Sequence, residues 1–447
     1  MNDTLFSQMP TIQGMRSQLA LRTRGDKFIW GIVVLLAMIS VMVVYSATGS
    51  LAYKMNKGNT EVYLFKQLAF MLVGLVIIYF LHRVNYSIYS RVAWILFLTA
   101  IPFLIYTLFF GAKINEGSRW VRLPIINMTV QTSDYARLAL FMYISRVLSR
   151  KQEVIKNFKE GFLPIIIPVA IVCVLIAPAN LSTALLTGAT SLLLMFIGRV
   201  SFKHILLTIL IAAIPVGLLI SVAVLTHKKD KQETEISKDD SKEERYSGMG
   251  RVGTWVKRVQ DFVYAKNEDM PYQVQQSKIA IANGGILVGL GPGNSRQRNF
   301  LPHCYSDFIY AIIIEEYGLL GGAFIMFVYL VFLFRGIRIF KRCPYAFGAF
   351  LALGLSFTLV IQALANMAVS VNIVPVTGVT LPLVSMGGSS FLFTCMSIGI
   401  ILSVARNVEV LEGKAQPEGV KPEETQVAEI GEAGVVGGNS FKTAAPF

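Results

Sequence analysis

Ten apolar runs recur along the chain, near residues 28–47, 64–82, 92–110, 134–148, 162–178, 180–198, 204–225, 306–334, 346–369 and 388–405. A helix rising 1.5 Å per residue needs about 20 apolar residues to cross roughly 30 Å of hydrocarbon. Most of the runs reach that length; 134–148 and 162–178 are short. In hydrocarbon every backbone N–H and C=O must bond within the protein, which leaves helices or a closed barrel. The runs are continuous, with no alternation of period two, so a barrel is excluded. The expected fold is all-α: a polytopic membrane protein of about ten transmembrane helices. Composition agrees, with only 15% of residues charged against roughly 25% in a soluble domain. Four Cys without a CxxC pair indicate neither a zinc site nor a disulfide framework.

An even number of spans puts both ends on one side. The connections 83–91, 146–161, 199–203 and 335–342 carry thirteen Lys and Arg, whereas 48–63, 111–133, 179 and 370–387 carry five. Lys and Arg accumulate on the cytoplasmic side, so both termini are expected there. The net charge of +14 then reads as cytoplasmic-face charge rather than a nucleic-acid surface. Residues 1–27 read as a retained cytoplasmic arm, since no apolar stretch and small-residue cleavage site follow Met1. Residues 28–405 form the membrane domain, and 406–447 read as a disordered tail rich in Glu, Gly, Pro and Ala. The long segment 226–305 lies outside. From His227 to Arg245 it is almost pure charge and is expected to be mobile; from Tyr246, with Trp255, Phe262, Tyr264 and Tyr272, it can pack.

Three stretches on the outer face could carry chemistry. In the first, Leu301-Pro302 closes an irregular loop and Ser306-Asp307 opens an apolar helix. Asp307 is either a helix cap or a carboxylate held at the membrane surface as a general base. Glu315, eight residues on, would lie about 12 Å further along that helix and about 80° round. That is too far for a glycosidase-like pair, so Glu315 and Glu316 read as structural, bonding neighbouring helices or lining a wet cavity. In the second stretch, Arg119 and Trp120 lie in an outer loop ahead of Asp134 and Arg137. Asp134 and Arg137 are a surface ion pair, or Arg119 and Arg137 offer positive charge to an anionic ligand. In the third, Ser385, Gly387, Gly388, Ser389 and Ser390 precede the last span and suit either close helix packing or anion binding at a helix start. GLGPGN at 289–294 follows no strand and is not read as a dinucleotide loop. Four scattered His suggest no metal cage; Cys304 faces the exterior, while Cys173 and Cys395 are buried.

Taken in order, these stretches resemble the shape, elongation, division and sporulation (SEDS) family. Its NG-x-x-RW loop is matched from Asn115 to Trp120 and its QPSE-x-AK helix start by QTSDYAR at 131–137. Its PDLGTA-like turn is similar to PANLSTA at 178–184. Its Q-x-x-QS…GG…G-x-G stretch is matched by Gln273, Gln276, Ser277, Gly284, Gly285, Gly289 and Gly291. Its LP-x-x-x-[TS]DFIF…EE-x-G segment is matched from Leu301 to Gly318, and its PVTG-x-PLP-x-x-S-x-GGSS segment from Pro375 to Ser390. The likeness runs from about residue 26 to 406. The chain departs from it at Asp134 and Arg137, where the family has Glu and Lys, at Asn180, where it has Asp, and at Thr380, where it has Pro.

The resemblance implies a ten-helix fold and a peptidoglycan glycosyltransferase that polymerises lipid II, an undecaprenyl-pyrophosphate donor, into β-1,4-linked strands. It implies Asp307 as the catalytic residue. It implies a class B penicillin-binding protein as partner, with other cell-division proteins, in the bacterial cytoplasmic (inner) membrane. The arm and tail lengths are more similar to division than to elongation members. Expected at the substrate are Arg119, Trp120, Asp134, Arg137, Lys278, Ser385, Gly387, Gly388, Ser389 and Ser390. A divalent cation (Mg or Mn) is a candidate cofactor, with no organic cofactor. Lipid II flipping is the competing activity.

Overall fold

A computed structural model describes residues 25–49, 61–114, 117–123, 128–234, 250–265 and 270–415. Among them are twelve α-helices: α1 (Lys27–Ala47), α2 (Glu61–Arg83), α3 (Tyr86–Phe110), α4 (Thr132–Arg150), α5 (Leu163–Ile176), α6 (Leu181–Ile197), α7 (Phe202–Thr234), α8 (Gly250–Tyr264), α9 (Tyr272–Gly284), α10 (Ile309–Arg342), α11 (Ala346–Ser370) and α12 (Ser389–Ala415). Eight helical segments are long and apolar enough to cross a membrane. The chain is an all-α polytopic membrane protein.

The two remaining span-like helices explain themselves. α6 is apolar but has only 17 residues. α4 carries Asp134, Arg137, Arg146 and Arg150, and most of its side chains are buried by neighbouring helices rather than by lipid. A charge in a span is tolerable where protein surrounds it. α11 is the most enclosed candidate span, packed against α4, α6 and α10, whereas α7 is almost wholly exposed along its span.

The 111–133 connection holds an antiparallel sheet, β1 (Ala112–Ile114), β2 (Gly117–Leu123) and β3 (Met128–Gln131), in the order β1-β2-β3. A sequence reading of apolar runs misses strands this short. Two boundaries also move. α7 runs on as helix through Thr234, into the charged stretch expected to be mobile; the rest of that stretch, 235–245, lies outside the described residues. α12 continues to Ala415, ten residues past the expected end of the membrane domain, because 406–415 contains good helix formers such as Glu409, Leu411, Glu412 and Ala415. Residues 1–24 and 416–447, the bulk of the expected arm and tail, lie outside the described residues. Chain contacts group Met1–Glu409 as one compact unit and Val410–Phe447 as another.

α10 is broken. Gly318 has φ 73° and ψ 178°, a conformation that interrupts the helix and favours glycine. The freed backbone groups bond to the segment that follows α9. Leu319 and Leu320 donate to the carbonyls of Gly285 and Ile286 at 3.1 and 3.3 Å, and Leu290 and Gly291 donate back to the carbonyls of Glu315 and Glu316 at 2.9 and 3.0 Å. The GxG run at 289–291 is therefore a docking strip for a helix break. A Cβ at Gly289 would overlap the Glu316 backbone, and one at Gly284 the Ile314 carbonyl.

At the opposite face, Asp26 caps α1 by accepting from the Phe28 and Ile29 amides and bonds the Arg335 guanidinium of α10 at 2.8 Å. The Arg335 guanidinium lies 4.5 Å over the Phe28 ring. Gly289→Ala is expected to lower stability by about 1–3 kcal/mol through overpacking. Gly31→Ala, where an added methyl meets nothing within 4 Å, should leave it unchanged or slightly raised. Thermal unfolding of the detergent-solubilised protein compares the two; equal midpoints would show that the strip yields without cost.

Candidate active site

Asp307 does not cap α10. The helix begins at Ile309, and the residue at its N-cap position, Phe308, makes no side-chain cap bond. The helical spacing to Glu315 expected from sequence therefore does not apply. Asp307 instead ends a tight turn whose hub is His303, at φ 55°. The His303 carbonyl accepts from the amides of Ser306, Asp307 and Phe308 at 3.1, 3.1 and 3.4 Å. Leu301, Cys304 and Phe308 are buried and anchor the turn in the core. Cys304, expected to face the exterior, has its thiol bonded to the Ala47 carbonyl, and burial pushes that thiol up to about 11.

Three consecutive carbonyls of this turn are each held from outside it. Tyr305 accepts from the Met386 amide at 3.0 Å, Ser306 from the Ser385 hydroxyl at 2.6 Å, and Asp307 from the Asn366 side-chain amide at 2.7 Å. The backbone of Asp307 is thus fixed while its side chain stays half-buried. Asn366 also donates to the Val379 carbonyl at 2.7 Å. One turn earlier on α11, Gln362 donates to the Thr380 carbonyl at 3.0 Å and accepts from Arg137 at 2.7 Å. Gln362 and Asn366 were not singled out from sequence. The available signal was two amides four residues apart on one face of an otherwise apolar span.

Arg258 of α8 was missed as well. It donates to the Val376 carbonyl at 3.1 Å and feels the Asp307 charge. Burial lowers its pKa, as does Arg251 nearby, and Asp307 opposes both, so this cation is partly stripped of water. Arg251, seven residues earlier, shares that side of α8 and reaches the Ala179 carbonyl at 3.4 Å. The other side of the helix is packed by Gly253, Val256 and Gln260, with Gln260 donating to Ala223 of α7 at 2.8 Å. A basic residue repeating every seven positions on an amphipathic helix was legible. Burial also raises the Tyr305 phenol, with Cys304 and Asp307 adding to the shift.

The other expected site residues fall into distinct places. Asp134 and Arg137 are not a surface pair: they are 5% and 8% exposed, with Arg137 Nη2 3.0 Å from Asp134 Oδ1. Arg137 is turned into the protein, where its guanidinium bonds Asp134 and Gln362. Ser390 meets the Asp134 carboxylate. The Ser389 hydroxyl accepts from the Gln131 amide at 3.0 Å, and Gln131 pairs with Trp120 across β2 and β3. Ser385 is buried and accepts from the Leu381 amide at 2.8 Å. Gly387 and Gly388 are half-buried in the same segment, with Gly388 at φ 53°. Ser385, Ser389 and Ser390 therefore clamp the Asp307 turn, the hairpin and α4 together. Trp120 is half-buried; the Arg119 side chain lies outside the described residues. Lys278 is exposed on α9 beside the Met270 sulfur, and the structure does not bring it to this group.

Glu315 and Glu316 are buried and hold protein. Glu315 accepts from Asn283, from the Ser295 hydroxyl and from the amides of Arg296 and Gln297. Glu316 bonds the Ser46 hydroxyl of α1. Asn180 caps α6 by accepting from the Thr183 amide at 3.4 Å. Among the described residues no three His, Cys, Asp or Glu side chains converge as a metal site.

The FtsW/RodA/SpoVE family profile, described as cell cycle protein, matches residues 26–410. The chain belongs to this family. That is the SEDS family its motifs resemble. It is 30% identical to the "Probable peptidoglycan glycosyltransferase FtsW" of Trichlorobacter lovleyi, over 86% of this chain and 94% of that one. It is 29% identical to the stage V sporulation protein E of Bacillus subtilis, over 86% of this chain and 98% of that one. A chain in a solved peptidoglycan synthase complex, in which polymerisation and crosslinking are coordinated, shares its fold with a TM-score of 0.62. The two are 22% identical over 86% of this chain and 98% of that one.

Arg137→Ala leaves the buried Asp134 carboxylate and the Gln362 oxygen without their cation, a loss of about 3–5 kcal/mol. Removing both charges in Asp134→Asn/Arg137→Gln should recover much of it. Unfolding midpoints of the three proteins check this. A double variant no more stable than Arg137→Ala would mean that the pair is not a closed unit.

Proposed function

We propose that this family member is a peptidoglycan glycosyltransferase that polymerises lipid II at the outer face of the bacterial cytoplasmic membrane. The observation that carries the reading is Asp307. The turn that ends in it is fixed by three independent donors, its side chain is half-buried, and Arg258 faces it electrostatically. The names of the relatives supply the reaction class.

The chemistry needs little more. An acceptor sugar hydroxyl gives its proton to the Asp307 carboxylate as its oxygen bonds the donor's anomeric carbon. The bond from that carbon to the pyrophosphate oxygen breaks, and the polyprenyl pyrophosphate leaves. One direct displacement inverts an α-linked donor to a β-1,4 linkage. The pyrophosphate is already a good leaving group, so it calls for cations rather than a general acid. Arg258 and Arg251 supply them from α8, in a site where partial desolvation strengthens charge–charge attraction. Arg119 is assigned the same role from the hairpin. A divalent cation (Mg or Mn) is proposed to arrive on the substrate's pyrophosphate. Among the described residues no three His, Cys, Asp or Glu side chains would hold it; it would add positive charge at the leaving group, and the proton transfer to Asp307 does not depend on it.

Donor and acceptor both carry polyprenyl chains, which is why the base sits at a membrane surface. The partner proposed is a class B penicillin-binding protein, in keeping with a structural relative that is part of a synthase complex. Division rather than elongation is favoured by relatives that carry the FtsW name. Flipping of lipid II is disfavoured because the motif residues gather on one face of the membrane domain, while the connections on the other face are merely basic.

Asp307→Asn keeps the turn but cannot accept a proton. It is expected to reduce glycan synthesis from labelled lipid II by at least ~10²-fold, as loss of a general base does, with the unfolding midpoint unchanged. Polymer at the wild-type level from that variant would remove Asp307 from the chemistry. Arg258→Ala should lower turnover by roughly 10²-fold, as loss of a donor at a developing charge does. Arg258→Lys should be milder, since it retains charge without the planar fork.

A further inference from the structure

At the face that the Lys and Arg bias assigns to the cytoplasm, the first half of α3 and the end of α4 line an open cleft of about 240 Å³. Its lining is Trp94, Tyr143, Arg146, Val147, Arg150 and Lys151. One wall is aromatic: the Trp94 ring lies 5.7 Å from Tyr143, which stacks on Phe97 at 4.6 Å. The other wall is cationic. Arg146 and Arg150 stand four residues apart on one helix face, where like charges repel. Lys151 follows directly.

Among the described residues none of these three cations forms an ion pair. Two are instead oriented by backbone oxygens: Arg146 by the Arg91 carbonyl at 3.3 Å and Lys151 by the Glu160 carbonyl at 2.8 Å. A bias that only fixed topology would be met by Lys and Arg spread through the loop. Three cations gathered without an ion pair among the described residues, around an open volume beside an exposed tryptophan, are complementary to an anion with an apolar tail. The open volume is large enough to admit a phosphate group.

We propose that this cleft binds the phosphate headgroup of an anionic membrane phospholipid, with the acyl chain lying along the Trp94 and Tyr143 wall. The aromatic wall suits the headgroup boundary, where amphipathic rings settle. The site lies at the opposite membrane face from Asp307 and is independent of the reaction proposed there.

Trp94 makes the test direct, because a lipid with brominated acyl chains quenches a tryptophan that it touches. The purified full-length protein in a zwitterionic detergent is titrated with brominated phosphatidylglycerol and, separately, with brominated phosphatidylcholine. Saturable quenching is expected with the anionic lipid at roughly tenfold lower concentration or better, given several cations near one headgroup. That component should vanish in Trp94→Phe and weaken strongly in Arg146→Gln/Arg150→Gln. Lys151→Gln serves as a second variant if the double substitution does not fold. Equal quenching by the two lipids in the wild-type protein overturns the proposal, and that comparison needs no variant. Relief of the quenching by millimolar inorganic phosphate would overturn it in favour of a free-phosphate site.

Discussion

A backbone group left unbonded in hydrocarbon costs several kcal/mol, and α10 leaves a set of them where it breaks at Gly318. The rest of the outer half of the molecule is arranged around that debt. The strip at 285–291 exchanges four backbone bonds with the two sides of the break. Glu315, one turn before it, gathers the next part of the same segment through Ser295, Arg296 and Gln297. That segment leads through Leu301 and Cys304 into the turn that ends in Asp307. The irregular backbone at the candidate site is therefore continuous with the irregular backbone that closes the helix break. Glycine is required where the two strips touch, because a side chain there would separate groups that have no water to fall back on.

The second organising element is the polar face of α11. Gln362 and Asn366 lie in the most enclosed candidate span, and both amides bond across it. Between them they tie the 379–380 backbone, the Asp307 carbonyl and the Arg137 guanidinium. Buried polar groups in an apolar surrounding hold one geometry because any other leaves a donor or acceptor unmet. The same logic explains α4, whose Asp134 and Arg137 face each other and α11 rather than lipid. It also describes the serines around the start of α12, which the sequence left open between close packing and anion binding and which bond protein groups in the structure. Their hydroxyls are taken by Ser306, Gln131 and Asp134.

The two faces of the molecule divide their charges differently. On the outer face the cations that matter are few and backbone-bonded: Arg258 to Val376 and Arg251 to Ala179, with Asp307 opposite Arg258. On the opposite face Arg146, Arg150 and Lys151 gather around an open cleft and form no ion pair among the described residues. The first arrangement suits chemistry on an anion that is turned over. The second suits an anion that stays.

Eight of the ten expected spans, the all-α class and the family were legible in the sequence, because hydrocarbon imposes one length and one backbone solution on every crossing segment. Asp307 was legible too, as a carboxylate in a motif at a span edge, but its setting was not. Helical arithmetic carried it into α10, and only the structure puts it before the helix, in a turn whose bonds come from residues 60 to 80 positions away, at Asn366, Ser385 and Met386. Arg137 was legible as a cation near the outer surface; that it turns inward depends on Gln362, 225 residues on. Strands β1 to β3 are too short for a periodic signal, and Arg258 owes its place to the packing of α8 on α7. The sequence by itself determined where the chain must be helical, since that rests on local hydrophobicity. Which polar groups face a ligand and which face each other was decided by tertiary structure, because a buried hydrogen bond needs both partners and the second partner is far along the chain.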